Sequence, residues 1–131
     1  KAVALKPENP IYTHNLADVY ADKGQFAEAR QTLQTFTQAY PNHGYIHIHL
    51  LLANLYSKNA DWKKVASECE QAVKIDEKSI AAYKLLGITY YTMNQYELAE
   101  KTVNKYLTLN PNDQEAQALL VKISNKIKGN L

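Results

Sequence analysis

Apolar residues recur along this chain at spacings of three and four, the period of an α-helix with one buried face. The pattern comes in pairs: an apolar segment such as "HIHLLLANLYSK" is followed, after a polar turn, by a more amphipathic one such as "ADWKKVASECEQAVKIDEK". This alternation predicts seven helices, over residues 10–22, 26–40, 46–58, 62–75, 80–93, 96–109 and 113–128.

The predicted helix pairs belong to a repeated unit. "GQFAEARQTLQTFTQAYPN" and "NQYELAEKTVNKYLTLNPN" align without a gap at an offset of 70 residues, and the segment beginning at Ala60 lies 34 residues before the second. The units are therefore residues 10–43, 46–79 and 80–113, with Gly44 and Tyr45 inserted between the first two. A repeat of this length built from two helices predicts a solenoid, in which each unit packs on its neighbours.

The third unit resembles the tetratricopeptide repeat (TPR) family, whose signature is an aromatic residue, then Leu-Gly, Tyr, Ala and Pro at fixed spacing. The first unit departs from this signature with Thr13 at the aromatic position, and the second unit departs from it with His49, Val65 and Glu77. The resemblance implies an all-α fold, a right-handed α-solenoid of antiparallel helix pairs. The matching residues of the third unit are Tyr83, Leu86, Gly87, Tyr90, Ala99 and Pro111.

The two ends of the chain differ in kind. With Pro7 placed against Pro111, residues 1–9 align with the end of the third unit, so we expect them to be the truncated tail of a preceding repeat in a longer protein. Residues 114–131 resemble a first helix with no second helix after it, which predicts a C-terminal capping helix. Val121 stands there at the position of Gly87, and Lys122, Lys126 and Lys128 are expected to keep the helix soluble.

Several polar residues precede the predicted helices at capping positions. Asn9 before Pro10, Asp61 and Ser79 are candidate N-caps, and Asn112 with Glu115 resembles a capping box. Gly87 and Ala99 are expected at the crossing of the two helices of their unit. A small residue on each side would let the two backbones approach closely.

Composition removes several classes of function. The formal net charge of +2 comes from mixed charges and forms no basic stripe, which argues against nucleic acid as a partner. No apolar run is long enough to span a bilayer, so direct membrane insertion is not expected. The single cysteine, Cys69, aligns with core positions and is expected to be a buried apolar thiol. Nothing separates a cytoplasmic from a periplasmic location.

No motif for catalysis or for a cofactor is present, neither a phosphate-binding glycine loop nor a nucleophile elbow. The chain is therefore not expected to be an enzyme or to hold a cofactor. His43 and His47 have the spacing of a metal pair, but His43 falls in a turn, and His47 and His49 point apart on a helix. We expect surface and groove histidines rather than a metal site.

The TPR resemblance implies a concave groove, lined by the first helix of each unit, that binds a peptide or a segment of a partner protein. Its N-terminal end is acidic and its C-terminal end basic, so we expect a ligand of mixed polarity with its acidic part near Lys84. For Leu51 and Leu85, packing between adjacent repeats is the alternative to facing the groove. The groove positions are His14, Asn15, Asp18, Asp22, His47, Leu50, Leu51, Asn54, Lys58, Ala81, Lys84, Leu85, Ile88, Tyr91 and Lys122.

Some members of the family hold a chaperone's C-terminal carboxylate with Lys, Asn and Arg side chains. The required Lys and Asn are replaced by His14 and Asp18 in one register. In the next register Leu50 precedes Asn54, and Leu85 replaces the second Asn. A chaperone-tail adaptor is therefore not expected. The leading hypothesis is a noncatalytic protein–protein interaction scaffold within a larger protein. Two alternatives stay open: a region recruiting substrate for an enzyme or an envelope or secretion assembly machine, and self-association through the repeat ends.

Overall fold

A computed structural model describes residues 9–129 as an array of antiparallel helices with no strand in that range. Over these residues the helices are α1 (Pro10–Asp22), α2 (Phe26–Ala39), α3 (Ile46–Lys58), α4 (Trp62–Ile75), α5 (Ile80–Thr92), α6 (Tyr96–Leu109) and α7 (Gln114–Gly129). The all-α solenoid is confirmed, and each predicted helix is present to within one residue at either end. The expected repeat tail over residues 1–9 lies outside the described residues except for Asn9.

Each first helix packs against the second helix of its own unit and, from α3 onward, against the second helix of the unit before it. A continuous core follows, built from Ala17, Leu33, Leu52, Cys69 and Val103 among others. Cys69 is fully buried, as its alignment predicted. The junction between α2 and α3, which contains the inserted Gly44 and Tyr45, is packed less closely than the junction between α4 and α5.

The turn inside each unit has the same backbone form. The residue two positions before the second helix is Gly24, Ala60 or Asn94, and all three have positive φ, at 76°, 56° and 63°. The next residue donates its N–H to the carbonyl of a tyrosine five positions earlier, as from Asp61 to Tyr56 at 3.1 Å. This is a Schellman-type helix end, which requires a left-handed residue.

The crossing of α5 and α6 is as close at Gly87 as the sequence suggested, but the partner differs. A Cβ placed on Gly87 would lie 2.8 Å from Val103 Cγ2 and 3.7 Å from the Val103 backbone nitrogen. Gly87 therefore makes room for Val103, one helical turn beyond Ala99. Ala99 is itself fully buried.

Two of the four predicted caps form as expected. Asn9 Oδ1 accepts from the Tyr12 N–H at 3.1 Å, and Ser79 Oγ accepts from the Ala82 N–H at 3.3 Å. Asp61 occupies the N-cap position of α4, but its side chain makes no capping hydrogen bond there.

The predicted capping box at Asn112 is wrong. The helix begins one residue later than expected, and Asp113 Oδ1 accepts from the Ala116 N–H at 3.1 Å instead.

The outer faces of the first and last helices of the described range are open. Val121, at the Gly87 position of α7, is 61% exposed. In α1, Tyr12 and Val19 are exposed, although their equivalents in α3, Ile48 and Leu55, are each only 1% exposed. No helix within residues 9–129 is long and apolar enough to cross a membrane.

Candidate interaction groove

The predicted groove surface consists of residues on α1, α3, α5 and α7. None of the eleven principal candidates is buried. Asp18, Asn54, Ile88 and Lys122 occupy one equivalent position in α1, α3, α5 and α7, so this row runs from an acidic to a basic side chain. Leu51 and Leu85 are half-buried and pack against the core. The remaining candidates are His14, Asp22, His47, Leu50, Lys58, Lys84 and Tyr91.

A concave apolar pocket lies at the N-terminal end of this surface, between α1 and α3. Its volume is about 550 Å³, and its walls are formed by Pro10, Ile11, His14, Asn15, Tyr45, His47 and Ile48. Ile11 is 72% exposed, so it offers apolar surface to a bound group. The sequence predicted His14 and His47 as groove residues of two different units, and in the structure the centroids of their rings are 6.1 Å apart. We call this the N-terminal pocket.

The charged groove residues have neighbours within the chain. His14 Nδ1 lies 3.5 Å from Asp18 Oδ2, and the Lys58 ammonium lies 5.0 Å from the centre of the Phe26 ring. Lys84 Nζ lies 3.4 Å from Asp113 Oδ2. The expected basic contact for an acidic ligand at Lys84 is therefore shared with a carboxylate that sequence reasoning did not connect to it.

Asp113 organises the C-terminal end of the groove. Besides capping α7 and pairing with Lys84, it accepts a 2.5 Å hydrogen bond from the Tyr106 hydroxyl. That hydrogen bond, the Ala116 N–H and Lys84 lower the pKa of the Asp113 carboxyl. The hydrogen bond to Asp113 in turn raises the pKa of Lys84. A small apolar cavity of about 70 Å³ lies beside this network, lined in part by Tyr83, Ile88 and Leu119.

Two of the four histidines are not the surface side chains that the sequence suggested. His49 is buried, and its Nδ1 lies 2.7 Å from Glu68 Oε1 of α4. His43 is half-buried, and its ring stacks on His49 with 4.5 Å between centroids. The predicted exposure of these histidines is wrong because it was based on sequence spacing alone, whereas the connector brings His43 against His49 of α3. No group of three metal-ligating side chains occurs within residues 9–129.

The sequence model of the tetratricopeptide repeat matches residues 1–55 and 56–123. The chain belongs to the tetratricopeptide repeat family. The human "Tetratricopeptide repeat protein 12" is 27% identical over 121 residues, which are 88% of this chain. This chain spans only 16% of that relative's length.

Solved TPR structures share this fold. The first TPR domain of Spaghetti (RPAP3), solved with the HSP90 peptide SRMEEVD, has a TM-score of 0.79 at 24% identity. The match covers 90% of this chain and 92% of that domain. A tetratricopeptide repeat protein from Parabacteroides merdae has a TM-score of 0.80 at 23% identity, covering 98% of this chain and half of that protein. At these identities the likeness establishes the TPR fold.

The TPR tyrosines do more than fill space, which sequence reasoning missed. Gln34 Nε2 of α2 donates to the Tyr56 hydroxyl at 2.7 Å, and the Tyr90 hydroxyl donates to Glu70 of α4. The two pairs are equivalent, since each joins a first helix to the second helix of the preceding TPR unit. Burial and the bond to Glu70 raise the pKa of Tyr90. The residue offsets within the two pairs, 22 and 20, differ by the two-residue insertion, so an alignment of the units that includes this insertion could have signalled the pairing.

Proposed function

We propose that this TPR module is a noncatalytic scaffold that binds an extended segment of a partner protein along the first-helix surface. The observation that carries the proposal is the N-terminal pocket, because an open apolar cavity with polar groups at its rim fits an anchoring apolar side chain. The row of accessible side chains from Asp18 to Lys122 then supplies contacts along the segment. The same proposal places the module within a longer protein.

The ligand is proposed to be of mixed polarity. An apolar residue would enter the N-terminal pocket, and neighbouring polar residues would face Asn54 and Lys58. Because Lys84 is already paired with Asp113, an acidic group of the ligand would gain less there than at Lys58 or Lys122. Such charge complementarity mainly sets the orientation of the ligand and its rate of association.

The peptide bound by the RPAP3 domain belongs to that domain, and we do not propose the same ligand here. In this chain, His14 and Asp18 occupy the positions that would hold a terminal carboxylate, and His14 Nδ1 lies 3.5 Å from Asp18 Oδ2. An aspartate at this place would repel a carboxylate. An internal segment without a required C-terminus is therefore the favoured ligand.

Selection from a phage-displayed library of random peptides, followed by calorimetric titration, tests this proposal. Asn54→Glu with Ile88→Glu changes two equivalent groove positions on α3 and α5. Gln71→Glu with Asn104→Glu is the matched control, since it adds the same charge at exposed positions of the second helices. We expect selected peptides to lose at least tenfold in affinity for the groove variant and to keep their affinity for the control. Equal loss in both variants, or no peptide selected, would reject the groove.

A further inference from the structure

The connector between the first two units holds a cluster of aromatic and titratable side chains that the groove does not use. His43 stacks on His49 at 4.5 Å with an angle of 18° between the rings, and its other side faces Phe36 and Tyr45 at 5.2 and 5.9 Å. His49 is fixed from the far side by Glu68 of α4 at 2.7 Å. The cluster thus spans α2, the connector, α3 and α4, at the least closely packed junction between units.

The hydrogen bonds define the protonation state that the cluster accepts. The Tyr45 N–H donates to His43 Nδ1 at 3.2 Å, so Nδ1 carries a lone pair and the single ring proton is on Nε2. Nε2 is buried and has no hydrogen-bond partner among residues 9–129. A second proton on this ring would have to go to Nδ1, where it would face the Tyr45 N–H and break that bond.

Within residues 9–129, groups from α2, α3, α4 and the connector face His43. From α3 comes His49, from α4 Glu68, and from α2 the apolar ring of Phe36. The connector itself contributes Tyr45 and the Tyr40 carbonyl, which accepts from the His43 N–H at 3.1 Å. Burial first, and then the neighbouring His49, lower the pKa of His43 below its ordinary 6.5, while Glu68 acts in the opposite direction.

Tyr45 connects this cluster to the N-terminal pocket. Its backbone N–H is held by His43 and its ring stacks on the same imidazole, while Tyr45 also lines the N-terminal pocket beside His47 and Ile48. Tyr45 is also the N-cap residue of α3, yet its side chain makes no capping hydrogen bond. A change at His43 therefore reaches the pocket through one residue.

We propose that His43 is a proton-sensitive contact: when its ring takes up a second proton, it leaves the stack on His49, releases Tyr45, and opens the wall of the N-terminal pocket. The binding surface between the first two units would then respond over the pH range in which histidine titrates, whereas the surface of the third unit, which contains no histidine, would not respond in that range. The consequence for ligand binding rests on the proposed function, but the movement of Tyr45 does not.

The test uses nuclear magnetic resonance on the free protein. The chain has four histidines, so His14→Asn with His47→Asn leaves His43 and His49 as the only imidazoles and removes the titration of the pocket itself. Ring resonances are followed from about pH 8 to about pH 5, the range in which histidine titrates. We expect the midpoint of His43 below 6.5, with the Tyr45 amide and the Ile48 methyl signals following the same curve.

His43→Phe in the same background keeps a stacking ring but has no site for the proton. The pH-dependent shifts of Tyr45 and Ile48 should then disappear. His43→Gln is a second variant, which keeps an acceptor for the Tyr45 N–H should the phenylalanine variant not fold. Three results would each overturn the proposal: a His43 midpoint at or above 6.5, Tyr45 signals that do not change as His43 titrates, or pH-dependent shifts that persist in the variant lacking His43.

No ligand enters this experiment, so its result is independent of the peptide selection. A failed selection with a Tyr45 shift that follows His43 would remove the proposed function and leave the proton-sensitive contact. Successful selection of peptides, with Tyr45 signals that do not change with pH, would support the proposed function and reject the proton-sensitive contact.

Discussion

Gly87 shows how a single missing methyl group shapes the third unit. The nearest atom to its absent Cβ is Val103 Cγ2, and valine in a helix has one strongly preferred rotamer, so it cannot easily turn away. Gly87→Leu should therefore lower the free energy of unfolding by about 1–3 kcal/mol through overpacking. Urea denaturation measures this loss, and Val103→Ala in the same chain should restore part of it.

Val121→Leu is the matched control for that experiment. It introduces the same side chain at the equivalent position of α7, where Val121 is largely exposed. We expect no change in unfolding free energy. Helix propensity favours leucine over glycine, so equal effects at the two positions would show that the contact with Val103 does not determine the cost at Gly87.

Ala60 is the one residue of the three unit turns that is poorly suited to its backbone. Its φ of 56° lies in the left-handed region, where an alanine costs roughly 1–2 kcal/mol relative to glycine. Ala60→Gly should therefore raise the stability by about 1 kcal/mol. Gly24→Ala, the reverse change in the first unit, should lower it by a similar amount. Equilibrium unfolding of both variants checks the sign, and a destabilised Ala60→Gly chain would contradict it.

At the scale of the helices, the tyrosine hydrogen bonds join one unit to the next. A bond to a charged acceptor is worth roughly twice a bond between neutral groups. Tyr90→Phe, which removes the donor to Glu70, should therefore cost about 1–2 kcal/mol, and Tyr56→Phe, which removes the bond from Gln34, about half as much. Denaturation of the two variants under identical conditions gives the ratio. Equal costs would show that the charge of Glu70 contributes nothing.

The start of α7 offers a second test on the helix scale. Asp113→Ala removes the cap, the acceptor for Tyr106 and the partner of Lys84, so thermal unfolding should occur at a lower temperature. Asn112→Ala is the control, and it should have no effect because that side chain is not the cap.

The pH dependence of this cap follows from the lowered pKa of Asp113. The folded carboxyl holds its proton less tightly than the unfolded one, so the stability it gives is present above the ordinary value of 3.8 and is lost as the pH falls through the folded value. The difference in unfolding temperature between wild type and Asp113→Ala should shrink at acidic pH. A constant difference would contradict the assignment.

For the whole molecule, the exposed face of α1 raises the question of what covers it. We propose that residues 1–8 are the tail of a preceding repeat. The reason is that Ala2 and Val3 align with Tyr106 and Leu107, which pack into the core of the third unit.

Val3→Asp tests this arrangement in the full chain. It should lower the unfolding temperature, whereas Lys6→Asp, a neighbouring change at a polar residue, should not. Light scattering over a concentration series is measured alongside. A concentration-dependent mass with no effect of Val3→Asp would show that a second copy covers the face instead.

How much the sequence could predict depends on the range of the interaction. Helix bounds and the all-α solenoid follow from local periodicity and a repeat of 34 residues, and both were predictable. The stack of His43 on His49 was not, because the path of an inserted connector depends on contacts across three helices. The pairing of Lys84 with Asp113 was missed for a related reason: groove positions were assigned from the first helices alone, whereas Asp113 lies at the start of α7.

The one cysteine gives the molecule a built-in reporter. Cys69 is fully buried in the second unit, and burial, reinforced by Glu68 and Glu70, raises the pKa of its thiol to about 12. Only a thiolate reacts quickly with alkylating reagents, so the folded middle unit should be almost inert to them. The rate of labelling then measures how often that unit opens, with no introduced probe. A cysteine placed on the surface can be modified selectively, so fluorophores for ligand binding can be attached without touching the core.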